Sequence, residues 1–301
     1  MEQGGKVIVS GASGLVGKAL VSALTGQGFE VLRLVRREPQ GADEVRWDVP
    51  GGEIDESKLA GVAGAVHLAG ENIASGRWDD ARKRRVRDSR VQGTELIAQT
   101  LSRLDPLPRF LISASAIGYY GNRGEEVVDE HASLGEGFLA DVCRDWEAAT
   151  APAEAAGIRV VHARIGIVLA KEGGALAKMK TPFLFGVGGR LGDGRQYMSW
   201  ISLDDLVSAL VFAVQRSSLR GPVNMVSPEP VTNAEFTAEL GRALKRPAVL
   251  PVPKFALRMA LGSEMANEML LGGARVIPSS LHEAGFAWQH ETLDKALAHV
   301  V

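Results

Sequence analysis

A glycine-rich turn near the start of the chain constrains its fold more than any other feature of the sequence. The turn reads Gly11-Ala12-Ser13-Gly14-Leu15-Val16-Gly17 and lies between an apolar run, residues 6–10, and an amphipathic segment, residues 15–25. A strand, a glycine turn and a helix in this order direct backbone N–H groups at a helix N-terminus toward a pyrophosphate. Three glycines also occur in purely conformational turns. Because this turn lies in the first strand–helix unit, it predicts a dinucleotide-binding site.

The end of the second predicted strand, residues 30–35, indicates which dinucleotide binds. An NAD site usually carries an acidic residue there for the ribose hydroxyls, and this chain has Val35 at that point, followed by Arg36 and Arg37. A guanidinium matches phosphate oxygens, so we expect Arg36 to pair with a 2′-phosphate and Ser13 to add a hydroxyl. The alternative is that these arginines are the solvated end of a strand. We expect NADP(H) as the cofactor.

Short β-rich runs alternate with amphipathic segments along the first half of the chain. The predicted strands are residues 6–10, 30–35, 65–68, 110–113 and 159–163, and the predicted helices are 15–25, 79–103 and 138–156. This alternation predicts an α/β fold, a Rossmann doubly wound parallel sheet with a smaller mixed C-terminal lobe. We expect residues 1–168 to form the NADP-binding domain, with a strand returning near 222–226, and residues 169–301 to form the substrate lobe.

Composition narrows the classes of partner. A formal net charge of −2 gives no reason to expect nucleic acid, and the basic run 82–87 is flanked by aspartates, as in a solvated helix face. One cysteine fits a reducing compartment, and we find no run that would span a membrane and no metal-ligand spacing among the six histidines. We expect a cytoplasmic monomer or homodimer that binds a small-molecule substrate and no metal, nucleic acid or membrane.

Several longer motifs carry a family resemblance over most of residues 6–226. They are His67-Leu68-Ala69-Gly70, residues 113–121, Arg164-Ile165-Gly166-Ile167-Val168 and residues 200–205. The chain resembles the extended short-chain dehydrogenase/reductases, which include nucleotide-sugar epimerases. Residues 76–78, 89–94, 138–147 and about 249–297 resemble one atypical branch, epimerase-like proteins of unassigned activity with a characteristic C-terminal segment. The resemblance implies that Leu68, Ala69, Gly70 and Ser113 contact the cofactor.

The same resemblance implies a catalytic set of Asn, Ser, Tyr and Lys, of which this chain keeps one member. Ser115 matches the serine, whereas Arg90 occupies the position of the asparagine. The tyrosine and lysine should lie four residues apart on the helix that begins near residue 138, and the two registers considered give Leu139 with Cys143, or Phe138 with Val142. Neither register supplies a phenol or an ammonium group for proton transfer. A lone cysteine in an apolar helical pattern is typical of a core residue.

Other residues are candidates to replace the missing pair. Tyr119 is a candidate acid, with Arg90 lowering its pKa, or it packs beside the cofactor. Glu71 and Asn72 orient a substrate, or they cap the segment that follows. Arg195 and Trp200, in and after a glycine-rich loop, contact substrate or anchor that loop.

These residues leave two functions open. The first is an NADP(H)-binding oxidoreductase or epimerase-like enzyme for an unidentified small carbonyl or hydroxyl compound, with Ser115, Tyr119 and Arg90 as catalytic candidates. The second is a protein that binds NADP(H) without turnover, as a sensor or scaffold. The retained serine and the expected closing loop favour the enzyme, while the missing tyrosine and lysine favour the binding protein.

Overall fold

The computed structural model describes residues 4–301 and begins with alternating strands and helices. In chain order, the elements of the first part are β1 (Lys6–Ser10), α1 (Leu15–Gly26), β2 (Glu30–Val35), β3 (Glu44–Asp48), β4 (Glu53–Ile54), β5 (Val62–His67), α2 (Asp80–Arg103), β6 (Phe110–Ala116), β7 (Val127–Val128), α3 (Phe138–Ala148), α4 (Ala151–Ala155) and β8 (Arg159–Ile165).

The second part of the chain has shorter strands between its helices. Its elements are β9 (Ile167–Leu169), α5 (Gly174–Leu184), β10 (Tyr197–Met198), β11 (Trp200–Ser202), α6 (Leu203–Gln215), β12 (Gly221–Met225), β13 (Val231–Thr232), α7 (Asn233–Leu244), α8 (Lys254–Leu261), α9 (Ser263–Ala266), β14 (Arg275–Val276), α10 (Ser279–Glu283) and α11 (Leu293–Val300). A single π-helical turn, Asn267–Leu271, follows α9.

One eight-stranded sheet organises the molecule, in the order β12-β8-β6-β5-β1-β2-β3-β4. Every pair in it is parallel except β3 with β4. Parallel strands need crossover connections, and helices on both faces of the sheet supply them, except between β2 and β3, which a loop of residues 36–43 joins. The predicted α/β Rossmann-like class is therefore confirmed.

Two apolar layers hold these helices to the sheet. On one face, Leu20 and Leu24 of α1 and Leu206 and Leu210 of α6 pack against strand residues such as Val7. On the other face, residues of α2 and α4, including Leu96, Ile97, Leu101 and Ala153, pack against Ile8, Leu34 and Leu111. Successive strand residues point to opposite faces, which is why Val7 and Ile8 belong to different layers. A third apolar cluster, around Trp200, Phe236 and Leu297, joins β9, α5, α7 and α11.

The structure corrects two details of the predicted elements. The predicted helix 138–156 is two helices, because Pro152 lacks the N–H that a continuous helix needs and sits at the start of α4. Strand β3 was not predicted; it extends the sheet beyond β2. Within residues 4–301, no helix is long and apolar enough to cross a membrane.

Candidate nucleotide and substrate site

The glycine turn depends on backbone contacts that leave no space for side chains. Gly11 has a φ of +67°, and a Cβ there would lie 2.9 Å from the backbone nitrogen of Ala69. A Cβ on Gly17 would lie 2.1 Å from the carbonyl oxygen of Gly11. These distances are too short for any L side chain, so the turn requires glycine at both positions. The turn therefore lies directly against the Leu68–Ala69 backbone.

The N-terminus of α1 is open toward this edge of the sheet. Gly14 precedes the helix in an extended conformation, and no side chain of the described residues caps the helix there. The first turn, which includes Leu15, Val16 and Gly17, carries no acidic side chain. Backbone N–H groups at a helix start and the positive end of its dipole attract an anion. The fit to a dinucleotide pyrophosphate is good.

A buried serine–histidine pair lies beside the turn, at the carboxyl ends of β1 and β5, and sequence reasoning did not identify it as a pair. Ser10 Oγ lies 2.6 Å from His67 Nδ1 and accepts hydrogen bonds from the N–H groups of Leu68 and Ala69, at 3.1 and 3.2 Å. Burial lowers the pKa of His67 to about 3, so its ring is neutral at pH 7. The pair fixes the Leu68–Gly70 segment against the turn; Ser113 lies beside His67 on the neighbouring strand.

The three arginines at the end of β2 have different surroundings. Arg33 pairs with Asp43, and Arg37 forms a two-pronged bond to Glu44 at 2.7 and 2.8 Å. The Arg37 hydrogen bond holds the pKa of Glu44 low, at about 2. Arg36 is exposed and has no hydrogen bond or ion pair to any residue in the described part of the chain. Of the three, only Arg36 keeps its charge available for a ligand.

A cavity of about 620 Å³ opens next to the carboxyl ends of β6 and β8. Strand and loop residues line one side of it: Ala116, Ile117, Gly118, Ile165, Gly166 and Ile167. Helix α3 contributes Leu139, Val142, Cys143 and Trp146, while Lys254, Arg258 and residues 267–269 and 271–274 come from the C-terminal part. Ligands of doubly wound folds bind at this end of the sheet.

The C-terminal part is fixed to α3 by a carboxylate. Glu268 accepts hydrogen bonds from the backbone N–H groups of Phe138 and Leu139, at 3.0 and 2.8 Å. Such a carboxylate satisfies the free donors at the helix start and stabilises the positive end of the helix dipole. Sequence reasoning missed Glu268, because 129 residues separate it from Leu139.

Ser115 lies behind the cavity wall and does not line it. Its hydroxyl donates to Glu147 Oε1 at 2.7 Å, and Arg164 binds both oxygens of the same carboxylate at 2.8 Å. Burial alone would lower the pKa of Arg164, but the hydrogen bonds and charge of Glu147 raise it instead. The neighbouring Ala116 faces the cavity. The Ser115–Glu147–Arg164 network thus holds β6, α3 and β8 together.

Tyr119 contacts a different cation from the one the sequence suggested. The Arg164 guanidinium lies 3.5 Å from the centre of the Tyr119 ring, whereas Arg90 stacks on the ring of Trp146 at 5.0 Å. Tyr120 is fully buried, donates to Asn224 Oδ1 at 2.7 Å, and has its pKa raised by burial to about 12. The structure therefore does not bring Arg90 to Tyr119 as a partner that lowers its pKa.

Arg90, Glu71 and Asn72 form one polar group at the start of the segment after β5. Arg90 Nη1 donates to the carbonyl oxygens of Glu71 and Val86, both at 3.0 Å. The Glu71 carboxylate pairs with Arg82. Asn72 Oδ1 accepts the N–H of Ala74 at 2.8 Å, the turn-capping role that was the alternative for this residue. Only Arg90 of the three lines the cavity.

The two residues expected near the glycine-rich loop do not reach the cavity. Arg195 is exposed and absent from the cavity wall, while Trp200 is fully buried and donates through Nε1 to the carbonyl oxygen of Glu229 at 2.9 Å. Tyr197 and Ser199 line the cavity instead. Alternate residues of an extended segment point to opposite sides, so Tyr197 and Ser199 face the cavity while Met198 and Trp200 face the core.

The fold and the glycine-turn edge (residues 10–17, 33–37 and 67–70) define a Rossmann-type nucleotide-binding protein. Comparison with known proteins gives its family. The chain belongs to the NAD-dependent epimerase/dehydratase family, whose model matches residues 7–225. Residues 252–300 match a domain of unknown function, DUF1731. The epimerase-like branch inferred from the sequence motifs, with its C-terminal segment, is therefore confirmed.

Relatives match this chain over nearly its whole length. Epimerase family protein ML0860 of Mycobacterium leprae is 48% identical over 97% of this chain and 94% of the relative. Human epimerase family protein SDR39U1 is 35% identical over 98% of this chain and 99% of the relative. A crystal structure of human SDR39U1 (isoform 2) with NADPH superimposes with a TM-score of 0.88, at 32% identity, and covers 98% of each chain.

Proposed function

We propose that this protein binds NADP(H) on the glycine turn and acts as an oxidoreductase or epimerase-like enzyme on a small carbonyl or hydroxyl compound in the cavity. One observation carries the cofactor assignment: the open N-terminus of α1 lies at the same sheet edge as Arg36, whose charge no described residue neutralises. Parallel pairing sets Val9 opposite Arg33, so the ends of β1 and β2 lie side by side. The NADPH in the human SDR39U1 structure supports the same assignment.

The chemistry divides between the cofactor and the chain. When bound, the nicotinamide supplies or accepts hydride. The chain encloses the substrate, but its α3 wall offers Leu139, Val142 and Cys143 where a phenol and an ammonium group would be expected. Burial raises the pKa of Cys143 to about 12, so its thiol stays protonated near pH 7. We infer that this protein lacks the tyrosine–lysine pair and that any proton transfer uses another group.

A cofactor titration tests the proposal. We expect NADPH to bind at least about tenfold tighter than NADH, because a guanidinium–phosphate pair is a charge-assisted hydrogen bond. Arg36→Ala should remove this preference by weakening NADPH binding alone. Arg46→Ala is the matched control, since Arg46 is half-exposed on β3 and pairs with Glu38. Equal affinity of the unmodified protein for the two cofactors would contradict the 2′-phosphate assignment.

Binding without turnover is the second candidate, and the apolar α3 wall favours it. A sensor or scaffold would bind NADPH tightly yet leave its absorbance unchanged with every member of a broad aldehyde and ketone panel. Substrate-dependent loss of that absorbance would establish the enzyme.

The cellular location we propose is the cytoplasm, because a single cysteine fits a reducing compartment. The Arabidopsis thaliana relative is named as chloroplastic.

A further inference from the structure

Arg90 presents an unused hydrogen-bonding edge at the cavity wall. Both hydrogens of its Nη1 are taken, by the carbonyl oxygens of Glu71 and Val86 at 3.0 Å each. Its Nε and Nη2 donate to no residue within the described 4–301 range. Those two nitrogens form the side-on fork of the guanidinium, and a carboxylate fits this fork with two parallel hydrogen bonds.

Among the described residues, no carboxylate forms an ion pair with Arg90. The Glu71 carboxylate acts on its charge only from a distance, because it pairs directly with Arg82, and Glu71 binds Arg90 through its carbonyl oxygen. Burial lowers the pKa of Arg90, yet an arginine keeps its proton in any protein environment. Cys143, close by in the same wall, is a neutral thiol. A cation that is partly withdrawn from water and lacks a counter-charge is costly unless an anion joins it.

The fork is also held in place. The guanidinium stacks on the Trp146 ring at 5.0 Å, and the Gly70 position approaches it so closely that a Cβ there would lie 3.5 Å from Arg90 Cζ. A planar donor pair that is already oriented loses little freedom on binding. Around it the wall is apolar, with Ile73, Leu139 and Val142.

We propose that the free Nε/Nη2 edge of Arg90 binds the carboxylate of the substrate, so that the protein acts on small carboxylic acids with an apolar body. The proposal rests on the proposed function in one respect, that this cavity is the substrate site. A single fork matches the one charge of a carboxylate. Of the other cations of the cavity wall, Lys254 pairs with Asp193 at 2.7 Å, and Arg258 donates to Asn267 Oδ1 at 3.1 Å without an ion pair among the described residues, so a phosphate dianion would have to recruit Arg258 as well.

Matched acids and amides test this proposal. Butanoate, hexanoate and octanoate would each be titrated calorimetrically into the protein saturated with NADPH, against the corresponding primary amides. We expect at least one acid to bind about tenfold or more tightly than its amide, the range expected of a charge-assisted hydrogen bond. Equal affinity for acid and amide throughout the series, or no saturable binding of any acid, would overturn the proposal.

Variants of two arginines of the same helix assign the effect to Arg90. Arg90→Gln should abolish the acid preference, and Arg90→Lys should keep a reduced one, since it retains the charge but not the fork. Arg84→Gln is the control, an exposed residue of α2, and should behave as the unmodified protein. If Arg90→Gln does not fold, the lysine variant and the unmodified protein still decide the matter. A preference unchanged in Arg90→Lys would exclude the two-pronged fork.

The two proposals fail separately. NADPH binding is measured first, by its own fluorescence, so a protein that binds no NADPH contradicts the proposed function. If NADPH does not bind, the acid and amide titrations are repeated on the free protein, where the acid preference still tests Arg90 alone. NADPH binding without any acid preference overturns only the carboxylate assignment.

Discussion

The glycine-turn edge, residues 10–17, 33–37 and 67–70, and the cavity wall are built in different ways. The edge comes from the first 70 residues, and its decisive contacts are between backbone atoms, as at Gly11 and Gly17. The cavity wall joins β6 and α3 to a segment near Glu268, and its properties depend on side chains. Backbone demands restrict a position to glycine, whereas a side-chain wall tolerates replacement. This difference explains how the glycine turn can be kept while the α3 wall carries apolar side chains.

Breaking the Ser115–Glu147–Arg164 network behind the cavity should have the largest effect on stability. Arg164→Met leaves the Glu147 carboxylate, which is only 11% exposed, without its partner. We expect the free energy of unfolding to fall by about 3–5 kcal/mol, the usual cost of an uncompensated buried charge. Urea denaturation measures it. Arg144→Met, at an exposed ion pair with Asp141, should cost under about 1 kcal/mol, and an equal loss in both variants would contradict a structural role specific to the network.

The reactivity of the Cys143 thiol tests whether the α3 wall is chemically inert. Cys143 is the only cysteine, and burial raises its pKa from 9.0 to about 12. At pH 8 its thiolate fraction should be about a thousandfold below that of an ordinary thiol, so alkylation by iodoacetamide should slow by that factor. The matched control is the same chain unfolded in guanidinium chloride. Native labelling within tenfold of the unfolded rate would make Cys143 a reactive group and a candidate for the missing acid.

Sequence reasoning succeeded where the cause of a structure is local. The glycine turn, the strand–helix alternation and the sheet class depend on spacing and periodicity within short windows. Trp200, Arg195 and Ser115 illustrate the limit, because whether a side chain reaches the cavity depends on strand register and on neighbours distant in the chain. Glu268 shows the same limit, since the fold brings it to the start of α3, 129 residues from Leu139.

A single methyl group should disrupt the glycine-turn edge. Gly17→Ala sets a Cβ 2.1 Å from the Gly11 carbonyl oxygen, so the turn must open. We expect NADPH binding to weaken by about a hundredfold or more, because we propose that turn as the pyrophosphate site. Gly26→Ala lies in the same helix with open space around its Cβ and should leave binding intact. Fluorescence titration compares them; similar affinities would show that the turn does not hold the cofactor.

The smallest effect compares two histidines, the buried His67 beside the glycine turn and the partly buried His162 behind the cavity. Burial depresses the pKa of His67 to about 3, whereas the unfolded chain titrates near 6.5. Below pH 6.5 the unfolded state therefore binds a proton at His67 that the native state does not bind. The contribution of neutral His67 to the free energy of unfolding is fully present above pH 6.5. It falls by about 1.4 kcal/mol per pH unit below pH 6.5, until the pKa of the folded state is reached.

The pH dependence of stability should be smaller for His162, which lies behind the cavity, than for His67. Its pKa is also lowered by burial, but the neighbouring carboxylates Glu147 and Glu154 raise it in opposition. His67 has no such carboxylate acting on its pKa. In urea denaturation between pH 6.5 and 5.5, His67→Asn should therefore reduce the loss of stability more than His162→Asn does. If His67→Asn and His162→Asn reduce the pH dependence of stability equally, Glu147 and Glu154 do not stabilise a charged His162. The network behind the cavity is then less polar than its geometry implies.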